Sequence, residues 1–368
     1  MQAQAATTGK KFYRPELDVL RFVAFLLVFF DHGSGSFHSA LALKVGEASR
    51  AGLQLFFILS AYLISELLLR EREKTGTVHI PSFFVRRVLR IWPLYFFFIG
   101  AIYIAGRFGH GFFPTGALLA FVALAGNWWI YVNGFLAFAV GILWSISVEE
   151  QFYLVWPWLV KAGGERALQV IVPVVLVVSS MALWYSGHRE LGVNKYWTNS
   201  LIEFAYFAVG AVLALLLHRR TFQPSAIGRT GLFAAAASAF LLLVFRFPVA
   251  APDRVIHTPG LFAAFTLLGV VGVCLFLGFY GLPLGSKRGV FVYLGRISYG
   301  LYVFHLFVLQ ACEAMLRRSH LHGVTYAMVQ LSMAFAITVA VAALSYRFLE
   351  TPFLKLKSRF TFVHSRDA

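Results

Sequence analysis

Charge is scarce in this 368-residue chain: 13% of residues are charged against 59% hydrophobic, with a mean hydropathy of +0.74. That balance excludes a soluble globular domain and makes a bilayer the solvent. Long polar intervals are missing too. Apolar runs of membrane-spanning length recur from residue 17 to residue 346, which leaves no stretch for an independent soluble domain. The chain divides into an N-terminal cytoplasmic tail (1–16), one integral membrane domain (17–353) and a basic cytoplasmic C-terminal tail (354–368). Cysteine is rare. Cys274 and Cys312 sit in separate apolar segments without ligand-like spacing, so neither a disulfide framework nor a zinc site is expected, and no metal. The N-terminal tail lacks a small-residue cleavage site, so no removable targeting segment is expected. Acid is scarce relative to base: 16 Asp and Glu face 32 Lys and Arg, giving +16. In a membrane protein this excess belongs to cytoplasmic loops facing anionic lipid, so lipids, and not nucleic acid, are the expected surroundings.

Eleven apolar segments are present, centred near residues 25, 60, 98, 121, 152, 177, 209, 239, 269, 303 and 335. The basic connections at 10–14, 70–90, 218–220, 286–288 and 355–359 all belong in the cytoplasm by the positive-inside rule. Parity then requires that one segment between 90 and 218 does not span. The weakest is 112–134, broken by Gly126-Asn127 and Asn133-Gly134, which reads as a partial or re-entrant element lining a cavity. The expected fold is therefore an all-α polytopic membrane protein of about ten transmembrane helices plus that segment, with both termini cytoplasmic. The basic stretch at 316–320 falls outside in this arrangement, against the rule.

Ionisable groups inside these segments are the functional candidates. Arg21 and His32 are eleven residues apart, which returns within about 20° of the same helix face, roughly 16 Å along the axis. Asp31 points about 100° away. The stretch WSISVEEQFYLVWPWLV carries Glu149 and Glu150, each costing on the order of 2.5–3.5 kcal/mol at bilayer centre, so a cavity or partner is required. Ser145, Glu149, Tyr153 and Trp156 share one face, with Ser147 and Glu150 about 100° round. In FFVRRVLRIWPLY, Arg86, Arg87 and Arg90 lie within one arc at a helix start, where cations oppose the macrodipole and an anion would relieve the conflict. LGRISYGLYVFHL puts Ser298, Tyr302 and His305 on one face beside Tyr299, and Glu350 precedes Pro352 near the end of the last helix.

In order, YRPELDVLRFVAFLLVFFDHG, GLQLFFILSAYLI, the Arg87-x-x-Arg90 pair before IWPLY, WSISVEEQFYLVWP, LGRISYGLYVFHL and SYRFLETP resemble the integral-membrane acyltransferase family 3. The resemblance runs from Tyr13 to about Phe353. Ala61 and Gln54 depart from it, where a glycine and an acid are common, and no extracytoplasmic hydrolase-like domain lies within these residues. The resemblance implies transfer of an acyl group, usually acetyl, from acyl-coenzyme A onto a hydroxyl of a cell-envelope sugar or small natural product, in the inner membrane. It implies that Arg21, Arg87 and Arg90 receive the donor and that His32 is the general base, with a Glu of 149 and 150 orienting it. Asp31, Ser145, Tyr153, Tyr299, Tyr302 and His305 support the site. A proton-coupled transporter would also need buried acids and histidines, but no two-fold repeat of broken helices is present. A scaffold would leave Glu149 and Glu150 unexplained.

The parity argument predicts that a cysteine placed at Arg219 does not react with an impermeant thiol reagent in intact cells. Labelling there would overturn the ten-helix arrangement.

Overall fold

A computed structural model describes residues 12–108, 114–136, 139–220, 222–249, 256–284 and 289–363. Part of the basic connection at 10–14, all of that at 286–288, and tail residues 364–368 lie outside the described residues. The described chain is helical, with no strand. In order the α-helices are α1 (Pro15–Gly33), α2 (Ala40–Ser49), α3 (Ala51–Thr75), α4 (Ile80–Phe108), α5 (Thr115–Val122), α6 (Gly126–Asn133), α7 (Trp144–Gly163) and α8 (Glu165–His188). They continue as α9 (Val193–Trp197), α10 (Ser200–Leu217), α11 (Ala226–Phe245), α12 (Thr258–Phe279), α13 (Val290–Arg296), α14 (Ser298–Leu316), α15 (Gly323–Ser345) and α16 (Thr351–Lys357).

Eight helices among the described residues are long and apolar enough to cross a membrane. The protein is a polytopic membrane protein, and the expected count of ten exceeds those eight. α1 and α7, of 19 and 20 residues, reach about 28–30 Å but carry the ionisable groups on which the site is built. The segment 112–134 contains no spanning helix among its described residues. Its two eight-residue helices, α5 and α6, each reach only about 12 Å and are separated by a non-helical break at Leu124 and Ala125.

α1 is the central rod. Pro15 opens it with a φ suited to a first turn, and Glu16 and Asp18 complement the positive end of its dipole. It packs against α3, α13 and α14. The approach to two of these is so close that only glycine fits. A Cβ on Gly52 of α3 would stand 2.4 Å from the Ala24 carbonyl oxygen, and one on Gly295 of α13 would stand 1.8 Å from that of Asp18. Small residues at such contacts let backbones meet where no hydrophobic effect drives helices together. α3 runs antiparallel to α1: Gly52 meets Ala24 at one end, and the Arg70 guanidinium lies 4.3 Å over the Phe12 ring at the other. α7 runs parallel to α3, since Ser60 meets Glu149 and Ser65 meets Trp156.

At the basic end of the bundle the C-terminus of α3 is tied to the end of α10. His218 Nδ1 lies 2.8 Å from Glu66 and Nε2 lies 2.8 Å from Glu73, while Arg70 and Arg219 hold the same carboxylates. With carboxylates on both nitrogens, both must donate, so the ring is an imidazolium. Its pKa is raised above the ordinary histidine value of 6.5, foremost by the bond to Glu66. A raised folded-state pKa contributes stability that is full below pH 6.5 and fades as pH climbs through the raised value. His218→Gln should therefore lower the melting temperature more at pH 6 than at pH 9, measured on detergent-solubilised protein. An equal loss at both pH values would remove charge from the explanation.

Candidate active site

Between α1, α3, α4, α7 and α14 lies a cavity of ≈150 Å³. Its wall on α3 recurs from Leu53 through Phe56, Ser60 and Leu63 to Leu67, so it follows that helix for about 21 Å. The basic end is set by Arg14, Arg21, Arg87, Arg90 and Lys357, and the deep end by Leu53, Ser145, Ile146 and Tyr302. Apolar side chains form most of the wall between.

The α7 face expected from the sequence is the one that meets this cavity. Ser145, Glu149 and Tyr153 line it, and Trp156 continues the same face by donating to Ser65 at 2.8 Å. Glu149 is held in place by hydrogen bonds from Ser60 and Tyr153. Its neighbour on the adjacent face, Ser147, accepts from the Gly126 amide at 3.2 Å, so that face turns to α6. Glu150 does not line the cavity, and its Oε1 is buried, with the Trp92 indole beside the carboxyl.

The three arginines of α4 part company. Arg86 is buried, paired with Glu71 at 2.7 Å and donating to the Phe360 carbonyl at 2.7 Å. Arg87 and Arg90 line the cavity. The Arg87 guanidinium lies 5.3 Å over the Tyr153 ring, and its Nε is buried without a partner among the described residues. Arg21 joins them from α1, held by Asp18 at 3.1 Å. Tyr299 also lines the cavity and donates to the Ile91 carbonyl at 2.8 Å.

His32 lies outside this cavity, two turns beyond Ala24 on α1 and past the end of α3. The expected glutamate is not beside it. Its ring neighbour is His305, at 5.0 Å between centroids and 3.4 Å between Nε2 of His305 and Nδ1 of His32. Glu149 stays at the level of Ser60, and Tyr302 stands between the two sites. The Tyr302 hydroxyl meets Ser145 at 2.6 Å and the Ile142 carbonyl at 3.0 Å, while its ring packs 5.5 Å from that of His305. Asp31 is 4.0 Å from His32 Nδ1 and pairs with Arg50 at 3.5 Å.

The histidine tautomers follow from their partners. His305 Nδ1 meets the Tyr302 carbonyl at 2.6 Å and His32 Nδ1 meets the Val28 carbonyl at 2.9 Å. Carbonyls only accept, so each Nδ1 carries the proton. His305 Nε2 is then an acceptor toward His32, and the lone pair of His32 Nε2 is left for chemistry on a side chain that keeps 30% of its surface exposed.

A family model for the acyltransferase domain matches residues 14–347. The chain belongs to this acyltransferase family. Similar curated proteins include a peptidoglycan O-acetyltransferase of Listeria monocytogenes, 25% identical over 93% of this chain and 56% of its own length. An O-acetyltransferase of Staphylococcus aureus is 24% identical over 93% of this chain and 57% of its own length. The chain thus spans a little over half the length of the curated relatives it matches. No solved structure matches it.

Sequence reasoning missed Ser60, Arg14 and Lys357 as cavity residues. Ser60 had a signal, as the one serine in the apolar run GLQLFFILSAYLI. Arg14 and Lys357 read only as topological charge.

The parting of the arginines predicts different mutant behaviour. Arg86→Ala should cost about 3–5 kcal/mol of stability, because it leaves Glu71 buried and unpaired, while Arg87→Ala should cost much less. Denaturant or thermal unfolding of both variants decides it, and equal losses would contradict the assignment.

Proposed function

We propose that this acyltransferase is an O-acetyltransferase of the inner membrane that takes acetyl from acyl-coenzyme A and places it on a hydroxyl of an envelope glycan or related sugar. The observation that carries the reading is the layout of α1: one end enters a cavity rimmed by cations, and the other presents a histidine with a free Nε2. The named activities of the two relatives support acetyl as the group and a wall glycan as the class of acceptor.

The donor fits the residues present. Guanidinium forks at the basic end suit phosphates, and the apolar wall toward Tyr302 suits an uncharged chain. Coenzyme A is cytoplasmic, which agrees with placing this end, and both termini, on the cytoplasmic side. The bound donor supplies an activated acyl group. Arg21, Arg87 and Arg90 hold its anionic part, and Asp18 keeps Arg21 in position. His32 Nε2 takes the proton of the acceptor hydroxyl as that oxygen attacks, and can return it to the leaving group. The Val28 carbonyl accepts from His32 Nδ1, which keeps the lone pair on Nε2, and His305 packs beside the ring. Asp31 adds a nearby negative charge that stabilises the protonated ring. Glu149, Ser145 and Tyr153 shape the cavity wall, and Glu150 keeps that turn of α7 polar behind it.

Two sets of variants separate the roles. His32→Ala should lose about 10²–10⁴-fold in acetyl transfer, the usual contribution of a general base, while binding acetyl-coenzyme A normally because His32 lies outside the cavity. Arg87→Ala with Arg90→Ala should weaken donor binding by about 1.5–3 kcal/mol for each charge-assisted hydrogen bond lost. Acetate released by mild base from the envelope of expressing cells reports transfer, and calorimetry on protein in lipid nanodiscs reports binding. Wild-type transfer by a correctly inserted His32→Ala protein would remove that residue from the mechanism.

A further inference from the structure

The C-terminal segment lies beyond the residues matched by the family, yet one of its residues, Lys357, lines the cavity. A π-helical turn at Tyr346–Glu350 leads out of α15, and α16 then packs on α4. Past α16 the chain is fastened at several points to the basic end of α3 and α4. Arg86 donates to the Phe360 carbonyl at 2.7 Å, and Lys74 donates to that of Phe362 at 3.0 Å. The Phe362 ring stacks on His79 at 4.3 Å and 20°.

This docking carries Lys357 into the wall of the cavity. Lys357 also lines a smaller neighbouring cavity of ≈30 Å³, shared with Arg86, Arg87 and Thr361, so it stands where the two meet. Lys357 joins Arg14, Arg21, Arg87 and Arg90 there. Of these five cations Arg14 pairs with Glu16 at 3.5 Å and Arg21 with Asp18 at 3.1 Å, and the lining holds one further carboxylate, Glu149. The Nε of Arg87, buried without a partner among the described residues, lies in the same wall. Like charges gathered around one concavity repel unless a polyanion fills it, and they concentrate such an anion from solution. A lysine serves as a compact point charge on a flexible stem, which suits a phosphate at the open end of the site.

We propose that residues 351–363 form a wall of the donor site and that Lys357 is a phosphate-binding residue within it. This rests on the acyl-coenzyme A reading above. The segment holds the donor's phosphates, and its fastening to Arg86, Lys74 and His79 keeps Lys357 in register with the arginines of α4.

The test compares acetyl-coenzyme A with S-acetylpantetheine, which has the same thioester arm and no phosphate, by calorimetry on the full chain in nanodiscs. Lys357→Ala should weaken acetyl-coenzyme A on the order of tenfold, the scale of one charge-assisted contact at a partly solvated site, and leave S-acetylpantetheine unchanged. Lys357→Arg should restore most of the difference. Phe362→Ala, which removes the stack on His79, should weaken acetyl-coenzyme A in the same selective way. An unchanged affinity in Lys357→Ala, or an equal loss for both probes, overturns the assignment. Failure of the wild-type protein itself to bind acetyl-coenzyme A would instead sink the donor reading, and this one with it.

Discussion

The close seating of α1 on its neighbours is the constraint from which the site follows. Gly52 and Gly295 let the backbones of α3 and α13 meet that of α1 at distances no Cβ would permit. In a bilayer this matters more than in water, because lipid tails are as apolar as leucine and helices associate through close packing. With α1 fixed at both points, Arg21 is held at the level of the cavity, and His32 is held past the end of α3, beside His305. A looser contact would let α1 slide or turn, and about 100° of rotation would take both side chains off the cavity and the histidine pair.

Compensation of charge is the second organising demand. Ionised groups at membrane depth are costly, and the structure meets the cost in two different ways. At the basic end of the bundle the answer is local pairing: Glu66 with Arg70 and His218, and Glu71 with Arg86. Along the cavity the answer is incomplete. Cations outnumber carboxylates in the lining, and Arg87 leans on an aromatic ring. A surplus of one sign around a hollow is the electrostatic form of a binding site for the other sign.

The arginine cavity and His32 are separated along α1. Tyr302 bridges them, with its hydroxyl on Ser145 at the deep end and its carbonyl on His305. The cation-rimmed cavity and the His32–His305 pair thus stand at opposite ends of α1, joined through one residue. In the function proposed above, donor recognition belongs to the first and proton transfer to the second.

Composition and period by themselves determined that the chain lives in a bilayer, that it is helical, that 112–134 is too broken to span, and that Arg21 shares a stripe with His32. They also determined that Ser145, Glu149, Tyr153 and Trp156 share a face. These are statements about one segment at a time, and the helix repeat of 3.6 residues is enough to make them. Which arginine of α4 faces the cavity, which residue neighbours His32, and whether Lys357 lines the cavity were decided only by tertiary structure. Each depends on the rotation and level of one helix relative to another, and local periodicity carries neither. Arg86 and Arg87 are neighbours in the same arc, yet Glu71 of α3 captures one and leaves the other to the cavity. The partner of His32 is set in the same way, by where α14 stands beside α1, and that is why it is a histidine 273 residues away.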